Sequence, residues 1–139
     1  MDYAMVITHH IEWITSNVQS IYDRIKKMYE LEKDIDDNED ATIPELTVEK
    51  CPSKVLNYQT YRWTIQVIMD MEQTVNSLIG LYNSVNFVND DDYSNTSSLR
   101  LWVPLEKELN DDYYKHLQEN FDAINRLLDQ LTDYANENK

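Results

Sequence analysis

Glycine is nearly missing from this sequence. Gly80 is the single one among 139 residues, accompanied by three prolines, Pro44, Pro52 and Pro104. Folds made of short strands need Gly and Pro turns at frequent intervals, so a sheet-rich architecture is excluded. The same shortage removes the P-loop and the Gly-rich dinucleotide fingerprint, which both need several glycines to bring backbone close to a phosphate. Cysteine is as scarce, and Cys51 alone cannot close an intramolecular disulfide. Met1-Asp2-Tyr3-Ala4 lacks the basic stretch and apolar core of a secretory signal, so the expected location is intracellular, in cytoplasm or nucleus. Asp70 and Glu72 interrupt the most apolar stretch before it reaches the length of a bilayer span, and membrane insertion is not expected. Basic charge is also short: 12 Lys and Arg face 26 Asp and Glu, for a net charge of −14. That balance repels nucleic acid and anionic surfaces and eases capture of a basic partner, although solubility alone is a sufficient role for it.

Apolar and aromatic residues are plentiful, at 42% apolar with three Trp and ten Tyr, enough to fill the core of one domain spanning residues 1–139. Their order is helical. Ile7, Ile11, Ile14, Val18, Ile21, Ile25 and Met28 alternate spacings of four and three, which predicts a helix over about 3–34, its seam widened by Trp13, Tyr22 and Tyr29. Tyr61, Thr64, Ile68, Met71, Val75, Leu78, Tyr82 and Val85 repeat the pattern within a second helix over about 54–86. A further column, Val67, Leu81 and Val88 with Thr74 between them, lies beside that seam, and the second helix is expected to be the central one. Gly80 within it is expected to mark a close helix approach. Tyr114, Leu117, Phe121, Ile124, Leu128, Leu131 and Ala135 form the last seam. Leu105 and Leu109 join it only after a slip at Asn110, where a cap would start a new helix.

The expected fold is therefore all-α: an elongated antiparallel bundle of three helices with coiled-coil-like seams, or of four if the last helix breaks near Asn110. Its core should contain Ile14, Val18, Ile21, Ile68, Met71, Val75, Ile124 and Leu128, which lie mid-seam. Two loops should be its most mobile parts: an acidic one over 34–53, bearing Asp34, Asp36, Asp37, Glu39 and Asp40, and a polar one over 87–98. Leu99 to Pro104 reads as an extended lead-in that staples the bundle end.

Candidates for chemistry are few. His9 and His10 precede Glu12, but neighbours on a helix point about 100° apart, so both should be half-exposed rather than joint ligands. Asp112, His116 and Glu119 share one helical face, without the second motif that a di-metal carboxylate bundle requires. The acidic loop offers oxygen ligands at Asp34, Asp36 and Asn38, but Glu39 stands where a calcium loop of the EF-hand type needs glycine. Cys51 lies between Lys50 and Lys54 with no histidine near it in sequence to complete a nucleophilic site. No catalytic residue, cofactor or metal is expected.

Interaction with protein is the expected function. From Val55 to Val88 the charged residues are Arg62, Asp70 and Glu72, while Gln59, Gln66 and Gln73 recur every seven residues. With Asn76 and Asn83 they form a neutral, wettable arc suited to docking another subunit or a second copy. Arg100 and Trp102 could extend the contact, although packing on its own bundle is the simpler fate of Trp102. The leading expectation is an adaptor subunit of a larger intracellular assembly. The alternative is an acidic inhibitor, a nucleic-acid mimic of the viral or mobile-element type, that blocks a basic nucleic-acid-binding protein.

Overall fold

A computed structural model of the chain describes residues 3–35, 43–84, 99–104 and 109–137. Four helices occur among them: α1 (Tyr3–Thr8), α2 (His10–Ile35), α3 (Tyr58–Ser84) and α4 (Asp111–Glu137), with no strand among the described residues. The all-helical bundle expected from the seams is present. The eight residues placed mid-seam, from Ile14 to Leu128, are all buried in one continuous core.

The ends of the helices follow local chemistry. Asn110 caps α4, its Oδ1 accepting from Tyr113 N at 2.9 Å, and Asp111 and Asp112 in the first turn favour the positive end of the helix dipole. Asn57 caps α3 in the same way through Thr60 N, at 3.1 Å. The first helix is not the single piece its seam predicts: it is interrupted for one residue at His9, whose N–H is shared between Met5 O and Val6 O, both at 3.1 Å, while His9 O still accepts from Trp13 N at 2.8 Å. The Thr8 hydroxyl donates back to Ala4 O at 3.2 Å, a bond that bends helices, and His10 beyond the break is drawn inward by α3 and α4.

Helix direction departs from expectation. On α2 and α3, His10 pairs with Thr64 and Met28 with Tyr82, both numbers rising together. On α2 and α4, His10 pairs with Tyr114, Arg24 with Asn125 and Met28 with Thr132. The three long helices therefore run parallel, and the antiparallel arrangement is corrected. A 27-residue helix is about 40 Å long, and extended chain covers that distance in about a dozen residues. The connections 36–57 and 85–110 are both long enough to return along the full length of the bundle.

Their described parts do return, packed into grooves between helices. Residues 43–49 alternate, with Leu46 and Val48 turned to the core and Glu45, Thr47 and Glu49 exposed. This first strap runs from beside Tyr22, Val67, Asp70 and Thr74 toward Trp63, whose Nε1 donates to Glu49 O at 2.7 Å. Of the acidic loop expected over 34–53, Asp34 belongs instead to α2, residues 43–53 carry neither helix nor strand and turn Leu46, Val48 and Cys51 to the core, and Asp36, Asp37, Glu39 and Asp40 lie outside the described residues, as does loop 87–98. The second strap, 99–104, lies between α3 and α4 and runs against them, from Asn76 past Glu72 to Tyr61.

The straps explain why α3 buries so wide an arc. Val67 and Thr74 of its second apolar column lie beside the first strap, Val88 falls outside the described residues, and α2 is the helix that α3 and α4 both approach most closely. Gly80 is exposed, and a Cβ there would meet nothing within 4 Å, so it marks no close approach. No helix among the described residues is long and apolar enough to cross a membrane.

Candidate functional site

The surface of α3 that remains after both straps are seated is one stripe. Tyr58, Gln59, Arg62, Gln66, Met69, Gln73, Ser77 and Gly80 are exposed at spacings of one, three or four. Arg62 is the one charge among them, set over the Tyr58 ring at 5.8 Å. Met69, in mid-stripe, is 52% exposed. Gln66 donates to Asp70 at its flank, at 2.8 Å, which holds one amide in place. The exposed positions of α4 form the opposite kind of surface, with Asp111, Asp112, Glu119, Asp122, Asp129 and Asp133 among them.

The structure divides the residues expected in the docking arc. Gln59, Gln66 and Gln73 stand together on the stripe. Asn76 does not: its amide donates to Leu99 O at 3.1 Å and its Oδ1 accepts from Leu99 N at 2.6 Å, so it is an internal clamp. Asn83 falls in the last turn of α3 with its side chain outside what is described. Arg100 is exposed on the second strap, whereas Trp102 packs inward, edge-on to Tyr113 and stacked on His116 at 4.9 Å.

Asn120 was not singled out by the sequence reading. It is 5% exposed on α4 and grips Trp102 by both backbone groups, accepting from N at 2.9 Å and donating to O at 2.8 Å. Glu72 accepts from Leu101 N at 2.8 Å. An extended segment without a neighbouring strand leaves peptide groups to be satisfied, and here amide and carboxylate side chains replace the missing ladder. The available signal was one amide among Leu117, Phe121 and Ile124 in an otherwise apolar seam.

At the end of the bundle near His9, the buried polar groups form a closed chain. His10 is 2% exposed, which corrects the expectation of two half-exposed histidines. Its Nδ1 lies 2.7 Å from the Tyr114 hydroxyl and its Nε2 3.2 Å from the Thr64 hydroxyl. Thr64 spends its proton on Thr60 O at 2.9 Å, so it must accept from His10. Nε2 then carries the imidazole proton, and Nδ1 accepts from Tyr114. Each donor has one acceptor, leaving no place for a second proton, and burial lowers the His10 pKa to about 4. Burial pushes both neighbouring phenols up, Tyr113 to about 12.

The remaining candidates stay apart. His9 is exposed and 3.7 Å from Glu12, and His116 is 3.5 Å from Glu119, each an exposed pair one helical turn apart. Asp112 is exposed at the helix start. Cys51 is a half-buried free thiol packed against the core, and His9 and Glu12 line the same surface cleft, which the sequence reading did not foresee. Among the described residues no three His, Cys, Asp or Glu side chains are grouped to hold a metal ion. No family model matches this chain, and no curated protein or solved structure matches it.

Proposed function

We propose that this chain is a non-enzymatic interaction or adaptor subunit of a larger intracellular assembly, docking through the exposed stripe of α3. The observation that carries the reading is the poverty of charge on that stripe in a protein of net charge −14. Covering Gln59, Gln66, Met69 and Gln73 removes water from amides and a thioether, which costs far less than stripping it from carboxylates. Met adapts its shape to a partner, and glutamines can exchange water for a partner's polar groups. The partner is another subunit with a neutral complementary surface, or a second copy of this chain.

Replacing both Gln66 and Gln73 by Glu tests the reading. The double variant should keep its helical circular dichroism and lose association, measured by sedimentation and by capture of native partners. A monomer at every concentration, combined with undiminished capture by the double variant, refutes docking on α3. The acidic α4 face supports the alternative, an inhibitor that occupies a basic nucleic-acid-binding channel. That reading requires binding that weakens steeply with salt and competes with DNA or RNA, whereas docking on α3 should persist at about 0.5 M salt, where exposed charges are screened within a few ångströms.

A further inference from the structure

The described methionines fall into two groups. Met28 and Met71 are 4% and 0% exposed in the core, whereas Met5 and Met69 are 63% and 52% exposed. Oxidation of a thioether needs a peroxide to reach the sulfur, so exposure decides which of them react. On the α3 stripe, among amides, a phenol, a guanidinium and a hydroxyl, the Met69 thioether is the one group that a peroxide oxidises under mild conditions. Met71, two residues along the same helix, faces the core and is out of reach.

Met69 also stands midway along the stripe, between Tyr58 at one end and Gly80 at the other, where a seated partner excludes water most fully. Covering a thioether costs little, because its sulfur is only a weak hydrogen-bond acceptor. A sulfoxide differs: its S–O bond is strongly polar, and its oxygen needs a donor in exchange for water. Gln73 lies one turn further along the stripe, at the i+4 spacing where helical side chains meet, and its amide is such a donor. Oxidation therefore adds a polar group to the middle of the contact and draws in an amide that docking on α3 uses.

We propose, on the basis of docking on α3, that Met69 is a redox modification site: oxidation by a peroxide turns that docking off, and reduction turns it on again. In the forward step the thioether sulfur attacks a peroxide oxygen, the O–O bond breaks, an S–O bond forms, and water or an alcohol leaves. Sulfur gives up two electrons. In the reverse step a reductase oxidises two thiols to a disulfide and releases the sulfoxide oxygen as water.

The test uses the full chain carrying Met5→Leu and Cys51→Ser, which removes the exposed thioether of α1 and the half-buried thiol from competition. Hydrogen peroxide is added, oxidation at each methionine is read by peptide mass, and association is followed by sedimentation and by capture of native partners. Met69 should oxidise well ahead of Met28 and Met71, helical circular dichroism should not change, and association should weaken about fivefold to a hundredfold. Methionine sulfoxide reductases for both sulfur epimers should restore it. Adding Met69→Leu should preserve association and make it indifferent to peroxide. Oxidation of Met28 or Met71 as fast as Met69 overturns the proposal, as does a peroxide effect that persists with Met69→Leu. Unweakened association of the oxidised chain also overturns it, and if Gln66→Glu with Gln73→Glu still abolishes association, docking on α3 stands and only its regulation fails. If the reduced chain does not self-associate and the double variant captures partners undiminished, both readings fall together.

Discussion

Lowering the pH puts a measurable load on the closed chain around His10. Its imidazole has a folded pKa of about 4 against 6.5 when unperturbed, with burial as the cause. Because the folded value is the lower one, the unfolded chain takes up the proton first as pH falls. The stability contributed by a neutral His10 is therefore complete above pH 6.5 and is lost progressively toward pH 4. Converted at 1.36 kcal/mol per pKa unit, the loss is about 2 kcal/mol by pH 5 and about 3 kcal/mol near pH 4. Of the groups packed on the ring, Tyr113 and Tyr114 are pushed above their ordinary range and Thr64 does not titrate, so none of them competes in this window. The 26 carboxylates act in the opposite sense, since neutralising a net charge of −14 relieves repulsion, and the measurement must be a difference. Urea unfolding of the wild type and of His10→Gln, which keeps a donor and an acceptor, should be compared at pH 7, 6 and 5. The wild type should lose about 2 kcal/mol relative to the variant over that range. Parallel pH profiles for the two proteins would show that His10 does not sit neutral in the fold, and the assignment of its hydrogen bonds would fail with it.

Three further outcomes are expected. Asn120→Ala strands both peptide groups of Trp102 and should cost about 1–3 kcal/mol, with faster amide exchange at Leu101 and Trp102 than in α4; protection equal to wild type would show the strap is held by packing alone. Gly80→Ala places a methyl where nothing lies within 4 Å, in an exposed helix interior, and should raise the urea midpoint by about 1 kcal/mol of stability; a loss would reveal a neighbour at that site. Ile68→Ala removes a side chain 1% exposed in the core and should destabilise by about 2–5 kcal/mol in the same assay, whereas a near-neutral result would contradict its burial.

Periodicity by itself determined the helices and the core of this protein. A residue at every third or fourth place must share one face of a helix, so Ile14, Val18 and Ile21, or Ile124 and Leu128, were core from their spacing alone. One cap was legible too, because Asn110 stands just ahead of a seam, whereas Asn57 lay inside the helix expected over 54–86 and caps one that begins at Tyr58. Direction was not, since a seam reads alike from either end, and connections as long as 36–57 and 85–110 permit a parallel return as easily as a free loop. Only the tertiary structure decided that Leu46 and Val48, or Leu99 and Leu101, fill grooves between helices, because such a strap is stabilised by side chains far along the chain. The same reason separates the two kinds of amide on α3. Gln66 and Asn76 are equally polar in sequence, but one turns toward open solvent, and the other faces a strap whose peptide groups no strand can satisfy. His10 differs from His9 on the same ground: adjacent side chains diverge by about 100°, and the helices on either side determine which of the two is taken out of water.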